Sequence, residues 1–347
     1  MMEYKVYKWS DVLTIINGRN QNAVECEDGE YPIYGSGGVM GKANDYLCPP
    51  NCTIIGRKGN INKPIYVETK FWNVDTAFGL SANEEILNPR YLYYFCVDYN
   101  FERHNKAVTI PSLTKADLLK IEMCLPPLDK QKSIVGELDK INELIRLKKE
   151  QLKDYDNLAQ SIFYEMFGDP VVNEKGWEVD YLSHLCNVFA GGDKPSDLSE
   201  MQSKDFPYPV IANGDGDKGI LGYSKMCKIK EDAVTIGARG ASIGNCRLVR
   251  NGFTPAIRLI TLVPQMKLDC NYLYYYVRNM NYRVNGVAQA QLTVPNVQRE
   301  IIPIPPLPLQ QLFAQRIELI EKQKAEIQRT ISDLETLLAS RMQYWFD

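Results

Sequence analysis

The chain is an internal duplication, and no other feature of the sequence constrains its fold as strongly. The segment Leu-Pro-Pro-Leu at 125–128 recurs as Ile-Pro-Pro-Leu at 304–307, an offset of 179 residues. A long heptad-patterned segment follows each copy. Self-similarity at a fixed offset means that one structural unit is repeated. We therefore predict two related halves, at about 1–170 and 171–347.

The globular parts that precede the long segments also match, but only at short fixed points. Because similarity is weak between those points, we expect a shared framework with different surfaces. Such a pair of domains is expected to do the same kind of work on different targets. The matches pair Tyr31–Ile33 with Tyr208–Val210, Ile55–Gly59 with Ile236–Gly240, Tyr91–Tyr94 with Tyr272–Tyr275, and Thr109–Ser112 with Thr293–Asn296.

Most seam positions of each long segment are apolar, at alternating steps of four and three. A period of 3.5 residues kept over more than four heptads is typical of a coiled-coil seam, not of an ordinary surface helix. The alternative is two amphipathic helices that each pack on their own domain. The predicted interface consists of Ile134, Leu138, Ile141, Ile145, Lys148 and Leu152 in the first helix and Ile317, Ile320, Lys324, Ile327, Ile331 and Leu334 in the second. The pattern continues to Ile162 and Met166 and to Arg341 and Trp345.

Each globular part alternates short β-rich runs with glycine-rich breaks, which predicts a small bent sheet. Aromatic runs at Arg90–Val97 and Asn271–Val277 are predicted to be helices. The fold class is therefore α+β. The predicted division is a first globular domain at 1–125, a helix at 126–168, a second globular domain at 169–304 and a second helix at 305–347.

Composition excludes several classes of protein. No stretch approaches about 20 consecutive apolar residues, so no membrane span is expected. The N-terminus lacks the apolar run of a signal peptide, and the nine cysteines lack framework spacing, so we expect reduced thiols and a cytoplasmic location. The net charge of −3 argues against a protein coated in basic residues but allows a local basic face.

Motifs for catalysis or metal binding are nearly absent. With only two histidines, no Ser-His-Asp set and no His-rich metal site can form. Cys48 and Cys52 lack the second pair of ligands that a zinc site needs. The glycine-rich segments lack the Gly-Lys-Ser/Thr of a phosphate loop. We therefore predict that the chain is not an enzyme and holds no metal or cofactor of its own.

A glycine-flanked basic loop occurs at the same place in each copy, and it is the main candidate for DNA binding. Arg and Asn can contact base edges, and Lys can neutralise phosphate. The alternative is a solvated hairpin loop, but its repetition in two diverged copies favours DNA. The candidates are Arg57, Lys58, Asn60, Asn62 and Lys63 in the first copy and Arg239, Ser242 and Asn245 in the second.

A second candidate site lies in the segments that come closer to each long helix. Their amide and hydroxyl groups could read base edges or could cap a turn. The candidates are Thr109 and Ser112, near Lys106, in the first copy, and Gln291, Thr293 and Asn296, near Gln289, in the second.

The order of several motifs along the chain resembles that of the specificity (S) subunit of type I restriction–modification enzymes. The resemblance covers the whole chain. In the second copy the segment Phe253–Ala256 departs from the pattern of the first, so contacts are not transferred between copies. The motifs are Gln131 and Gln310 after the Pro-Pro-Leu helix starts, the run Phe163–Pro170 between the halves, Trp177, and the blocks at 31–38 and 71–75, which look like target-recognition domains.

The resemblance implies a function and a set of partners. Each globular domain would be a target-recognition domain that reads one half of a split, asymmetric site in double-stranded DNA. The two helices would pack antiparallel as a spacer. Methyltransferase (M) subunits carrying S-adenosylmethionine would methylate adenine, and a restriction (R) subunit that uses ATP and Mg²⁺ would join them. The chain itself would be non-catalytic.

The length of the spacer agrees with this arrangement. Residues 129–166 make a helix of 38 residues, roughly 57 Å at about 1.5 Å per residue. One turn of DNA is about 34–36 Å. Half-sites separated by several unread base pairs are therefore expected.

One lysine interrupts the predicted seam near the middle of each helix: Lys148 in the first helix and Lys324 in the second. A polar residue in a seam can fix the register of two helices. We predict that both lie near the pseudo-two-fold centre with buried stems and ammonium groups that reach outward. The alternative is that both are peripheral.

Two other functions stay open from the sequence. The chain could be a coiled-coil scaffold without a DNA role, or a free-standing methyltransferase or nuclease.

Overall fold

The computed structural model describes residues 4–105, 111–214, 216–280 and 291–346, with the side chains of residues 216 and 217 left out. It divides into two compact units. The first unit contains residues 1–149 and 329–347, and the second unit contains residues 150–328. Each unit thus groups one globular part with segments of both long helices, whereas the sequence boundaries separated globular parts from helices.

The first unit contains three small sheets. A four-stranded antiparallel sheet has the order β2-β8-β5-β6, a three-stranded sheet has the order β4-β3-β7, and β1 pairs with β9. The described elements in chain order are β1 Lys5–Lys8, α1 Trp9–Val12, β2 Leu13–Asn17, β3 Tyr31–Gly35, β4 Gly38–Ala43, β5 Cys52–Gly56, β6 Ile65–Val67, β7 Trp72–Asn73, β8 Ala77–Ala82, α2 Pro89–Asp98, a 3-10 turn Phe101–His104, α3 Lys115–Leu118, β9 Glu122–Leu125 and α4 Leu128–Phe167, which continues into the second unit.

The second unit repeats these sheets strand for strand. The orders are β11-β17-β14-β15 and β13-β12-β16, and β10 pairs with β18. The described elements are β10 Glu178–Tyr181, α5 Leu182–Leu185, β11 Cys186–Ala190, β12 Tyr208–Ile211, β13 Ile220–Ser224, β14 Ala233–Ile236, β15 Cys246–Val249, β16 Thr254–Pro255, β17 Ile260–Pro264, α6 Cys270–Asn279, α7 Val294–Gln298, β18 Ile301–Ile304 and α8 Leu307–Phe346, with 3-10 turns at Gly216–Gly219 and Gly240–Ser242. The duplication and the α+β class are confirmed.

The two aromatic helices form because their sequences carry both a cap and a buried face. The side chain of Asn88 accepts hydrogen bonds from the backbone N–H groups at the start of α2, and Asp269 does the same for α6. Such caps satisfy N–H groups that a helix leaves unpaired. Tyr91 and Tyr272 are each 1% exposed, so these tyrosines are core residues rather than stacking surfaces.

Within each unit the segments of α4 and α8 run antiparallel. In the first unit, Glu137 accepts hydrogen bonds from Arg341, and Lys149 Nζ lies 2.8 Å from Glu335 Oε1. Residues later in α4 therefore contact residues earlier in α8. In the second unit, Asp156 pairs with Lys324 at 2.8 Å and the Phe163 ring contacts Phe313, in the same reversed order.

The seam follows the heptad pattern over most of its length. Leu152, Leu334 and the two lysines are half-buried. The remaining interface positions are at most 8% exposed, and they are Ile134, Leu138, Ile141, Ile145, Ile317, Ile320, Ile327 and Ile331.

Near the C-terminal end of each helix, a buried residue lies next to one predicted seam position. Phe163 and Met342 are 0% and 7% exposed, whereas the expected positions Ile162 and Arg341 are half-buried. There the helices pack against globular cores as well as each other. Phe163 joins the core of the second unit, and Met342 joins that of the first. Ile162 and Arg341 are half-buried at the helix contacts: Ile162 packs against the core of the second unit, and Arg341 donates to Glu137 on α4.

Lys148 and Lys324 lie near the middle of their helices, and both are half-buried. The ammonium group of Lys324 donates to Asp156 on α4 and to Glu321 on its own helix. Burial lowers the pKa of Lys324, but these two hydrogen bonds outweigh it and raise the pKa above its ordinary value. Their common position at a pseudo-two-fold centre stays a prediction.

All nine cysteines are free thiols. Cys48 and Cys52 are buried, and burial raises the pKa of the Cys52 thiol to about 11. Within the described ranges, no helix has the length and apolar character needed to cross a membrane. Nor do three His, Cys, Asp or Glu side chains gather there as metal ligands would.

Candidate DNA interface

The basic loop of the first unit connects β5 to β6 at the edge of the four-stranded sheet. A side chain at Gly56 would meet the carbonyl oxygen of Asn60 at 2.5 Å, so only glycine permits the loop to turn back on itself here. Gly59 has φ +76°, a conformation that favours glycine. The side chains of Arg57, Lys58, Asn60, Asn62 and Lys63 are exposed.

The same loop recurs in the second unit between β14 and β15. A side chain at Gly237 would meet the carbonyl oxygen of Ser242 at 1.9 Å, and Gly240 has φ +57°. Arg239 and Asn245 are exposed, and Ser242 is half-buried in a 3-10 turn. The repeated glycine positions explain why this loop kept its form while its other residues diverged.

The structure brings the second candidate segment against the basic loop in both units. Lys58 forms an antiparallel bridge with Ser112, and Arg239 forms one with Gln291. The backbone N–H of Leu113 donates to Arg57 O at 2.9 Å. The loop and the segment are separate candidates in the sequence, but in the fold they form one surface in each unit.

A third segment, which follows β3 or β12, lies beside each basic loop. In the first unit, a side chain placed at Gly37 would lie 3.8 Å from Asn60 Nδ2. In the second, Asn213 Oδ1 accepts a hydrogen bond of 2.7 Å from the backbone N–H of Ala238. We call these three adjoining segments the loop cluster, at 35–38, 57–63 and 111–113 in the first unit and at 212–214, 238–245 and 291–293 in the second.

Asn213 and Asn105 have structural roles that the sequence pattern alone does not reveal. Asn213 holds the basic loop, and its Nδ2 also donates to Ile257 O at 2.7 Å. Asn105 Oδ1 accepts from the backbone N–H of Ser112 at 3.1 Å. An Asn within a loop is the available sequence signal, because its amide can pair with backbone groups, but it does not reveal the partner.

The proposed match of Thr109–Ser112 with Thr293–Asn296 is wrong by five residues. The equivalent capping residues are Thr114 of α3 and Thr293 of α7, each of which accepts from the backbone N–H three residues later. A Thr-x-Pro motif begins at both Thr109 and Thr293, but these two threonines are not equivalent in the alignment of the two units. The helix caps give the correct alignment. Ser112 therefore corresponds to Gln291, in agreement with the two bridges.

Three candidates for base contacts have structural partners for their polar groups. Asn62 Oδ1 accepts from the backbone N–H of Phe101 at 2.8 Å. Thr293 caps α7, and its hydroxyl donates to Asn296. For Thr293 and Asn296 the capping role named as the alternative is the one observed. Thr109, with Lys106 and Gln289, lies outside the described residues.

Three of the residues that carry the family resemblance have structural roles. Gln131 and Gln310 are 1% and 0% exposed, and each makes three hydrogen bonds at the start of its long helix. The Trp177 indole donates at 3.0 Å to the carbonyl oxygen of Phe167, the last residue of α4. These side chains hold the framework and do not form a binding surface.

The block 71–75 also has a structural role. Its β7 pairs in parallel with β3, and β16 pairs in parallel with β12 in the second unit. Trp72 and Thr254 therefore occupy equivalent positions although their sequences differ. Asn73 is buried, and its amide donates to Ala77 O at 3.3 Å.

A family model described as the type I restriction modification DNA specificity domain matches residues 1–154 and again residues 174–336. The two matches cover most of the chain, with one on each half. The chain belongs to this family. As a type I specificity subunit, it has two copies of the domain, which agrees with the duplication of its sheets.

Relatives of this specificity subunit carry the same description. A putative type I specificity subunit of Mycoplasma pneumoniae is 25% identical over 330 residues, which cover 91% of this chain and 89% of that protein. A type I restriction enzyme specificity subunit of Methanocaldococcus jannaschii is 24% identical over 270 residues, or 67% of this chain and 62% of that protein.

Solved structures show the same fold. An S subunit of a type I restriction–modification system from M. genitalium has a TM-score of 0.66 at 15% identity, and the match covers 98% of this chain and 95% of that one. A chain from a study of complex assembly in a type I system has a TM-score of 0.60 at 18% identity, with 100% and 98% covered.

Proposed function

We propose that each unit reads one half of a split, asymmetric site in duplex DNA through its loop cluster. The observation that carries this proposal is the bridge between the basic loop and the second candidate segment at equivalent positions in both units. The bridge pairs Lys58 with Ser112 in the first unit and Arg239 with Gln291 in the second. Each unit therefore has one exposed cationic side chain next to a polar one. Lys neutralises phosphate, and Arg and Gln recognise base edges in the major groove.

The long helices would set the distance between the half-sites. Each of α4 and α8 has 40 residues, or about 60 Å at about 1.5 Å per residue. That length exceeds one DNA turn of about 34–36 Å, so several base pairs between the half-sites go unread.

The chemistry would belong to partner subunits. The chain acts as a non-catalytic cytoplasmic subunit that positions methyltransferase subunits for adenine methylation and a restriction subunit for cleavage. S-adenosylmethionine is held by the former, and ATP and Mg²⁺ by the latter. When the full chain is incubated alone with DNA and labelled S-adenosylmethionine, no transfer of the methyl group to DNA is expected. Transfer by the chain alone contradicts this part of the proposal.

The test is duplex binding by the full chain with its methyltransferase subunits. Affinity for a preferred sequence exceeds that for random duplex, and log affinity falls linearly with log salt concentration. A complex that shows no sequence preference and no salt slope contradicts the proposal and favours the scaffold.

A further inference from the structure

The two bridged pairs, Lys58 with Ser112 and Arg239 with Gln291, have the same backbone geometry. Around Lys58 and Ser112, the hydrogen bonds join their neighbours: Gly59 N donates to Pro111 O at 3.1 Å and Leu113 N donates to Arg57 O at 2.9 Å. This is the non-hydrogen-bonded arrangement, in which the Cα atoms lie about 4.5 Å apart and the side chains are closest.

The second pair shows the same pattern. Leu292 N donates to Ala238 O at 3.0 Å, the counterpart of the bond from Leu113 to Arg57 O. Residues directly opposite in an antiparallel pair project to the same face. Arg239, Gln291 and Lys58 are exposed and Ser112 is half-buried, so each pair presents two polar side chains side by side to solvent.

The spacing within each pair is about 1 Å larger than the distance between neighbouring base pairs. Stacked bases rise about 3.4 Å along one strand, close to the separation of about 4.5 Å between the bridged Cα atoms. Two side chains at that separation can each reach a different base pair of one step. The backbone bridge fixes the relative position of their Cα atoms before DNA binds.

The chemistry of the side chains then indicates the bases. Arg and Lys donate to guanine O6 and N7, and Gln pairs with adenine N6 and N7. Ser accepts or donates to several bases. The two units differ at this pair, although the loop that carries it kept its glycines, which is the pattern expected of positions that set different specificities on one framework.

We propose that the bridged pair is the specificity-determining unit of each half. Arg239 and Gln291 read a guanine and an adjacent adenine in one half-site, and Lys58 with Ser112 reads a guanine and its neighbour in the other. The inference rests on the proposed function, since it names the residues of the same surface that distinguish bases.

The test selects preferred sequences from a duplex library with both half-sites randomised, using the full chain with its methyltransferase subunits. Gln291→Ala relaxes the preference for adenine at one position of one half-site by roughly 5- to 150-fold, and Arg239→Ala does so for the adjacent guanine. The other half-site keeps its preference. Gln202→Ala, which removes an exposed amide elsewhere in the second unit, keeps the wild-type preference at every position.

A reciprocal variant tests the pair in the first unit. Ser112→Gln introduces the residue of the second unit and adds an adenine preference beside the guanine of the other half-site. Thermal unfolding of each variant establishes that it is folded, and if Gln291→Ala does not fold, Ser112→Gln decides.

Two outcomes separate this inference from the proposed function. If the wild-type complex selects a sequence but the variants weaken binding to all sequences equally, the pair contacts phosphates and the inference is wrong. If the wild-type complex selects no sequence at all, the proposed function itself is wrong.

Discussion

At the scale of single residues, a buried glutamine near the start of each long helix makes the same three hydrogen bonds in both copies. These bonds explain why a polar residue recurs at this position. Gln131 Oε1 accepts from the backbone N–H of Asn88, and its amide donates to Ile86 O and Pro126 O, at 2.8 to 2.9 Å. Gln310 makes the equivalent bonds to Asp269, Lys267 and Pro305. Each glutamine thus joins its long helix to the loop before the aromatic helix.

Gln131→Ala is expected to destabilise the chain by about 2–3 kcal/mol, because it leaves buried backbone groups without partners. Urea denaturation of the full chain measures the change. Gln343→Ala, at an exposed position of α8, should change stability by less than about 0.5 kcal/mol. Equal effects of the two variants would contradict the role of the buried network.

In the first unit, a cluster around Arg90 packs α2 against α4. The Arg90 guanidinium on α2 lies 4.7 Å from the centre of the Tyr66 ring, and its Nε donates to Asp139 on α4 at 2.9 Å. In the second unit, Asn271 takes the place of Arg90, and a cavity of about 720 Å³ lies between α6, β15 and α8. The framework is shared, but its packing against the helix differs.

At the scale of elements, an ion pair joins α4 to α8 in the first unit. Glu137 accepts hydrogen bonds from Arg341 and from the Trp345 indole. The hydrogen bond from Arg341 is the main cause that lowers the pKa of Glu137, against the opposing effect of burial. The helix contact is therefore strongest when Glu137 is ionised.

The pH dependence follows from the sign of this shift. Because the folded pKa of Glu137 is below its unfolded value of about 4.3, its contribution is fully present above that value and is lost as pH falls through the folded pKa. Glu137→Gln should therefore be less stable than the wild type at pH 7, and the difference should shrink below about pH 4.3. Denaturation over a pH series measures this.

The control for this prediction is Glu122→Gln, at an exposed position of β9. Its stability relative to the wild type should show no comparable trend with pH. A Glu137→Gln variant whose stability difference grows as pH falls would refute the assignment of the pair.

At the scale of the whole molecule, the acidic total charge does not conflict with DNA binding. The net charge is −3, yet the loop cluster of the first unit carries exposed Arg57, Lys58 and Lys63, and that of the second unit carries exposed Arg239. Binding to phosphates depends on local charge and releases counterions, so its strength depends on salt.

Lys63→Ala is expected to weaken binding to all duplex sequences equally and to reduce the slope of log affinity against log salt by about 1. A salt titration of the full complex measures both effects. Lys132→Ala removes the same charge from an exposed position of α4 and should leave the slope unchanged. A change in base preference with Lys63→Ala would assign this residue to base readout instead.

The sequence alone determined the duplication and the four main helices. Heptad spacing predicted α4 and α8, and the aromatic runs predicted α2 and α6. These features depend on periods of 3.5 or 3.6 residues and on local hydrogen bonds, which can be read from neighbouring residues. The two basic loops were found for the same reason, through their repeated glycines.

Only the tertiary structure decided which separate segments meet. Lys58 and Ser112 are 54 residues apart, and no local pattern predicts their bridge. Phe163 and Met342 are buried because the helices meet globular cores there, which a heptad pattern does not describe. Long-range pairing depends on how whole elements pack, so the surface proposed to read DNA became visible only in the folded chain.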